Sequence, residues 1–350
     1  MNSFKFENYK ISEKSKPFFV AEVGINFNGS IELAKKTIIA AKKAGADSVK
    51  FQYYKTEDFI SNRKIHLFYK NKGKRIKINQ FELFKKNEFS FKQLSELKQF
   101  CDKSKINFHV TPTNVRAIDE LMEIGVKIIK NGSDFLTHTN ILKKISKHKL
   151  PVIISTGMSK DKEISYALSF FKKYNKNNLI VLHCTSNYPT EIKDANVKRL
   201  KNIKNKYKCL VGFSDHTTNN LSAIFSRYYG AVWFEKHFTL NKKLSGPDHN
   251  FSADEKEFNN YIRDVNNVEK LLGSGKIDFE KKEALSRKNF GISCVSKRDI
   301  KKGEILKYSD LDFKRPGNGI KPYQVNKILG KKTKKKLYKD DIILIKNIEK

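Results

Sequence analysis

Eight short apolar runs divide the first two thirds of this chain, at 18–24, 46–52, 106–111, 126–130, 152–156, 179–184, 209–214 and 231–237. Each has the length of a strand, and as a set they read as strands buried on both faces. The stretches between them are amphipathic and carry helix-start signals. Asn114 precedes 115–124, Asp194 precedes 197–200, and Ser252 with Glu255 forms a capping-box pattern before a helix running toward Leu272. Eight such strands alternating with helices predict an α/β chain folded as a (β/α)8 TIM barrel, which takes about 250 residues. A doubly wound open sheet is the alternative. It is weakened because neither G-x-G-x-x-G nor G-x-x-x-x-G-K-[ST] follows the first run.

The pattern changes at Gly273. Residues 273–289 are rich in Gly, Ser and charge and read as a linker between a catalytic barrel at 1–272 and a smaller domain at 290–350. The smaller domain shows strand-like pieces at 292–295, 310–313 and 342–345, with turns at Lys302-Gly303 and Pro316-Gly317. About 60 residues build little core, so this domain is expected to pack on the barrel or on a second subunit.

A formal charge of +34 over 350 residues suits anionic partners. Lysines nevertheless run through nearly every helical stretch, and the local excesses at 63–77 and 331–339 have the form of solvated charge runs. A nucleic-acid-binding protein would interleave clustered basic residues with exposed aromatics, whereas the aromatics here fall mainly in the apolar runs. The reading therefore expects no nucleic-acid partner. Cys101, Cys184, Cys209 and Cys294 form no C-x-x-C pair and read as reduced core residues. Residues 1–17 lack the continuous apolar segment of a signal peptide, and no run approaches about 18 apolar residues. A cytoplasmic chain that does not enter a membrane is expected.

Barrel chemistry sits where strands hand over to their loops. Here those positions carry Glu22; Lys50 and Gln52; Thr111; Lys130 and Ser133; Ser155 and Thr156; His183, Thr185, Ser186 and Tyr188; Asp215 and His216; and Glu235, Lys236 and His237, followed by Gly246-Pro247-Asp248-His249. Two lysines and several hydroxyls at one mouth suit a small, highly charged anion. The two histidines, His216 and His237, suit a divalent metal with open positions for substrate oxygen. Glu22 remains as a candidate base. Together these groups suggest joining an anionic enol to an aldehyde. A Schiff-base aldolase with Lys50 or Lys130 as nucleophile uses the same groups differently.

Seven segments in order, Ala21-Glu22-Val23-Gly24-Ile25-Asn26, Val49-Lys50-Phe51-Gln52, Ser155-Thr156-Gly157-Met158, His183-Cys184-Thr185, Ser214-Asp215-His216-Thr217, Glu235-Lys236-His237-Phe238-Thr239 and Gly246-Pro247-Asp248-His249, resemble those of the sialic acid (N-acetylneuraminate) synthase family. Ile300-Lys301-Lys302-Gly303 and Lys314-Arg315-Pro316-Gly317 resemble the antifreeze-like (SAF, β-clip) domain that follows the barrel in that family. The resemblance implies condensation of phosphoenolpyruvate with an open-chain N-acyl hexosamine, N-acetylmannosamine or a 6-deoxy diacetamido hexose. The products are phosphate and a nine-carbon 2-keto sugar acid of the sialic, legionaminic or pseudaminic type. It assigns Lys50, Thr111, Lys130, Ser133, Ser155 and Ser186 to phosphoenolpyruvate. His216 and His237 fall to Mn2+ or Mg2+, Glu22 to acid/base work, and Tyr188 and Asp248 to sugar hydroxyls. Arg315 would reach the N-acyl group from the partner subunit of a domain-swapped homodimer. A barrel that only binds sugar acids is the inactive alternative.

Three departures from the family pattern stand out. Phe27 replaces the His of N-H-N-G, so a polar contact near Glu22 is expected to be lost. Lys130-Asn131-Gly132-Ser133-Asp134-Phe135 leaves Phe135 where a sugar-binding carboxylate stands in the family, and Thr113 replaces the Phe of Thr-Pro-Phe. An aromatic at 135 is expected to disfavour a hydroxyl and to tolerate an apolar substituent on the acceptor.

Overall fold

In a computed structural model describing residues 3–71, 74–171 and 178–349, the chain forms two compact units that divide after Gly273. Met1, Asn2, Lys72, Gly73 and Lys350 of the stretches discussed above lie outside the described residues.

The first unit is a closed parallel barrel of strands β1 (Phe18–Gly24), β2 (Ser48–Tyr53), β3 (Asn107–Pro112), β4 (Ile129–Asn131), β5 (Val152–Ser155), β6 (Leu179–Cys184), β7 (Leu210–Asp215) and β8 (Ala231–His237). The strands follow chain order around the barrel, and β8 closes on β1. Their side chains separate into two apolar sets. Phe19, Ala21, Val49, Phe51, Phe108, Val110, Ile154, Val181, Val211 and Phe234 face the helices. Phe18, Val20, Ile128, Ile153, Ile180, Leu182, Leu210 and Trp233 fill the lower barrel lumen. This double burial is why strands such as Phe18–Gly24 and Leu179–Cys184 read as mainly apolar runs.

The lumen is plugged from below by a hairpin of Phe4–Phe6 and Tyr9–Ile11, which the sequence reading did not assign. Phe18 stacks on Trp233 with ring centroids 4.3 Å apart, and Phe4 and Phe6 meet the same indole edge-on at 6.0 and 6.2 Å. Polar chemistry is thereby confined to the upper half of the barrel.

Two helix starts differ from expectation. Asn114 does cap Val115–Glu123, accepting from the Ala117 N–H. The last barrel helix, Glu255–Leu272, is instead capped by Asp254 and Glu257, because Ser252 is already bonded to Asn26 and to the Asp248 carbonyl. Asp194 lies in a short 3-10 turn, and the helix Arg199–Tyr207 begins without a side-chain cap. Between β2 and β3 a second hairpin, His66–Asn71 with Lys74–Asn79, occupies the basic stretch.

In the second unit, Ser293–Ser296 pairs antiparallel with Leu311–Lys314 around a core of Cys294, Ile300, Leu306, Leu311, Ile328, Leu337 and Ile343. The expected strand at 342–345 is reduced to one bridge, Val295 to Ile342, followed by a 3-10 turn at Ile345–Asn347. Isolated bridges elsewhere, such as Ile300 to Leu337, give the unit its irregular β character. Within the expected linker, Lys281–Glu283 and Ala284–Phe290 are helical.

Candidate active site

A cavity of about 630 Å³ opens at the carboxyl ends of the barrel strands. Register sets its floor: Glu22 lies opposite His237 on one side and Lys50 on the other, and Lys50 lies opposite His109. The lining includes Glu22, Lys50, Thr111, Lys130, Ser133, Ser155, Ser186, Tyr188, His216, His237 and Asp248. Every barrel residue given a substrate, metal or acid/base role lines this cavity, whereas Thr156, His183, Thr185 and Asp215 of the strand ends do not. Arg315 belongs to the second unit, where its guanidinium stands 5.3 Å over the Phe290 ring.

The floor is a charge network. Lys50 Nζ is 2.6 Å from Glu22 and 3.7 Å from Glu235, and Lys130 Nζ donates to Glu235 at 2.5 Å. All four side chains are buried. Trp233 Nε1 donates to Glu235 from below at 3.3 Å. His109 Nδ1 is tied to the Ser48 hydroxyl at 2.8 Å, and burial pushes this imidazole down to about 4, so it is neutral at pH 7. Burial alone would raise Glu235, but Lys130 and Lys50 outweigh it and hold the carboxyl well below its ordinary range. Glu22 is raised, because burial, with Glu235 pushing the same way, outweighs Lys50. The two carboxyls are thus driven apart, one a fixed anion and the other able to carry a proton. Burial lowers Lys130, whereas Glu22 and Glu235 overcome the burial of Lys50 and raise it.

Loop approach completes the anion wall. Gly157 N donates to Ser133 Oγ at 3.0 Å, and a Cβ on Gly157 would lie 2.2 Å from Ser186 Oγ and 2.8 Å from Ser133 Oγ. Only glycine lets these two hydroxyls face one pocket. Ser155 Oγ is buried and finds no hydrogen-bond partner among the described residues. An unpartnered buried donor of this kind is aimed at a ligand or at water.

The histidines lie side by side, with ring centroids 5.4 Å apart. His216 Nδ1 meets the Thr185 carbonyl at 2.8 Å; a carbonyl only accepts, so Nδ1 carries a proton, and although burial lowers this imidazole, the neighbouring Cys184 and the Thr185 carbonyl outweigh it and raise His216 above its ordinary value. His237 Nδ1 is buried, finds no hydrogen-bond partner among the described residues, and lies 3.8 Å from Asp248. Burial, reinforced by His216, drives His237 well below the usual imidazole range, so it is neutral and able to ligate. Burial and then Glu22 raise Asp248 to about 7, the behaviour of a carboxyl short of positive charge. Tyr188 covers both imidazoles, 4.2 Å from His216 and 5.8 Å from His237. Among the described residues no three His, Cys, Asp or Glu groups form a complete metal cage. Two adjacent imidazoles beside a carboxyl and open cavity fit a divalent cation that takes the place of a ring proton and whose shell is finished by substrate and water.

Several sequence readings are refined here. Asp215 and Lys236 are bound to each other at 3.0 Å, and Lys236 also donates to the Thr217 carbonyl, so they brace the β7 and β8 ends rather than serve the cavity as free charges. Phe27 packs on Phe89 at 4.2 Å in the core and is not part of the cavity wall. Asp134, one residue before Phe135, puts a carboxylate into the lining. Glu235, the hub of the floor, stood among the strand-end residues but was not assigned a role. Its signal was an acidic residue inside an otherwise apolar strand.

The NeuB family model matches residues 37–277 and the SAF domain model residues 293–349. The N,N'-diacetyllegionaminic acid synthase of Campylobacter jejuni is 37% identical over 333 residues, covering 94% of this chain and 99% of that protein. A pseudaminic acid synthase of the same species is 34% identical, covering 91% and 93%. The crystal structure of N-acetylneuraminic acid (sialic acid) synthetase from Leptospira borgpetersenii in complex with citrate is 32% identical with a TM-score of 0.71, covering 81% of this chain and 96% of that one. Among the described residues no helix is long and apolar enough to cross a membrane. The barrel and the C-terminal unit agree with these matches, and the chain belongs to the NeuB family, a synthase barrel followed by a SAF domain.

Proposed function

We propose that this chain condenses phosphoenolpyruvate with an open-chain N-acyl hexosamine, giving a nine-carbon 2-keto sugar acid and phosphate. The observation that carries the reading is the charge network, in which two buried lysines and a split carboxyl pair share the cavity with two adjacent imidazoles. Lys50, Lys130, Thr111 and the hydroxyls of Ser133, Ser155 and Ser186 supply donors for the phosphate and carboxylate of phosphoenolpyruvate. Its methylene carbon forms the new bond to the aldehyde carbon of the sugar, and the aldehyde oxygen takes a proton. Water adds at carbon 2, and the carbon–oxygen bond to phosphate breaks to leave the ketone. Glu22, raised and facing the cavity, carries the proton between these steps. His216 and His237 would hold Mn2+ or Mg2+, which when bound supplies a Lewis acid for the aldehyde oxygen. Tyr188 and Asp248 orient the sugar beside the imidazoles.

In this reading the working unit is a homodimer, and Arg315 of the partner subunit reaches the acyl group. The connecting segment supports it: Ile277 and Leu285 are 104% and 67% exposed, apolar side chains that a second subunit would cover. A Schiff-base aldolase is favoured by one observation, the lowered ammonium of Lys130. One experiment tests both. Phosphate release from phosphoenolpyruvate, followed with a panel of N-acyl hexosamines, should depend on acceptor, stop on chelation and return with Mn2+ or Mg2+. Borohydride should leave the protein unmodified. A trapped lysine adduct, or phosphate release undiminished in excess chelator, would overturn the condensation.

A further inference from the structure

Beneath the charge network lies a tier of neutral polar groups that the condensation does not touch. Glu235 divides its two oxygens between the layers. Oε2 takes Lys130 at 2.5 Å and Lys50 at 3.7 Å from the cavity side, whereas Oε1 takes the Trp233 Nε1–H at 3.3 Å and faces His109 Nε2 at 3.9 Å from below. Ser48, His109 and Trp233 are fully buried and absent from the cavity lining, so none of them meets substrate. The tautomer of His109 follows from its neighbours. Its Nε2 finds no hydrogen-bond partner among the described residues, and a lone pair there would oppose the Glu235 carboxylate. The proton therefore sits on Nε2, and Nδ1 accepts from the Ser48 hydroxyl at 2.8 Å. This tier does not relay protons, because beyond Ser48 it meets only the Asn107 and Val49 carbonyls, which have none to pass on. It holds Glu235 in place.

Resting on the condensation reading, we infer that His109 and Trp233, with Ser48 behind the imidazole, are positioning residues that fix the Glu235 carboxylate so that its Oε2 presents Lys50 and Lys130 to phosphoenolpyruvate. Two neutral dipoles on Oε1 draw part of the negative charge to that oxygen, which keeps the ammonium groups from being pulled wholly onto Glu235 and away from the ligand. The indole is itself clamped. Phe18 stacks on it at 4.3 Å, His109 meets it edge-on at 5.7 Å, and Phe4 and Phe6 of the plug also meet it edge-on. The amino-terminal hairpin is thereby tied to the anion wall through one ring.

The test pairs binding with kinetics in H109Q, H109N and H109L. A glutamine amide reaches the place of Nε2–H, an asparagine amide reaches only that of Nδ1, and leucine supplies neither. In H109L the Ser48 hydroxyl still has the Asn107 carbonyl at 2.9 Å, so no donor is stranded. Calorimetric titration with phosphoenolpyruvate should give a Kd raised about three- to tenfold in H109N and H109L, the effect of losing one dipole on a buried charge, and near wild type in H109Q. The KM for phosphoenolpyruvate should follow while the KM for the acceptor stays unmoved; a loss of folded protein would lower kcat and leave both constants in place. Trp233 is the single tryptophan of the chain, so its emission should change when phosphoenolpyruvate is added to wild type. A Kd within about twofold of wild type in both H109N and H109L, equal weakening in H109Q, or an emission blind to bound phosphoenolpyruvate overturns the positioning role. If wild type binds phosphoenolpyruvate but releases no phosphate with any acceptor, the condensation falls and the Kd series still decides the tier. No binding by wild type overturns both.

Discussion

Glu235→Gln isolates the electrostatics of the barrel floor. The substitution keeps the shape and the acceptor for Trp233 Nε1, but it removes the carboxylate that Lys130 reaches at 2.5 Å and sets an amide donor against that ammonium. Lys50 loses its contact at 3.7 Å and keeps Glu22 at 2.6 Å. Breaking one side of a buried pair costs about 3–5 kcal/mol, because the remaining charge cannot regain water. The upper half of that range applies, since one carboxylate serves two lysines. At about 2–4 °C per kcal/mol for a domain of this size, the melting temperature should fall by roughly 10 °C. The same logic predicts a specific rescue. Two ammonium groups sharing one carboxylate attract an added anion more strongly than the balanced network does, and a ligand that binds only the folded state raises its stability. In thermal scans with and without phosphoenolpyruvate, E235Q should therefore gain more than wild type even though its turnover is impaired. A loss below about 1 kcal/mol, or a smaller gain from phosphoenolpyruvate than in wild type, would refute the idea that Glu235 holds two charged lysines toward the cavity.

Asp47, at the lower end of the barrel, accepts from Phe19 N at 2.8 Å, and burial pushes it up to about 6 from an ordinary 3.8. A raised acid binds its proton more tightly when folded, so this group favours folding below pH 3.8, and that contribution is lost as pH rises through about 6. Asp47→Asn keeps the acceptor without the charge; it should stabilise the protein by about 1–3 kcal/mol at pH 7 and flatten the stability slope between pH 4 and 6, measured by urea melts across pH. For the quaternary reading, mixing R315A with H237A protein should restore part of the condensation after subunit exchange, because a mixed dimer rebuilds one intact site; no recovery after verified exchange would place Arg315 outside the neighbour's site.

The barrel was legible because burial on two faces leaves most strands mainly apolar, and eight strand-length segments at helical spacing admit few other closed folds. Strand-end chemistry was legible for a related reason. A charge at the end of an apolar run can face only the mouth, which is how Glu22, Lys50, Lys130, His216 and His237 could be named from their positions. The two hairpins and the caps of the later helices were less accessible, since a three-residue strand or a choice between Ser252 and Asp254 is decided by which partner a side chain finds first. Function within the site depended on tertiary structure most of all. Lys50 and Lys236 look alike in sequence, yet Lys236 is spent on Asp215 and Thr217 while Lys50 sits between two carboxyls in the cavity. Glu22 and Glu235 are both buried strand carboxyls, and only the placement of Lys130 makes one a permanent anion and lets the other carry a proton. Sequence determined which groups reach the barrel mouth, because period and polarity are local properties of the chain. Their charge states and roles were decided by the fold, because those depend on ångström distances between residues on different strands, well separated along the chain.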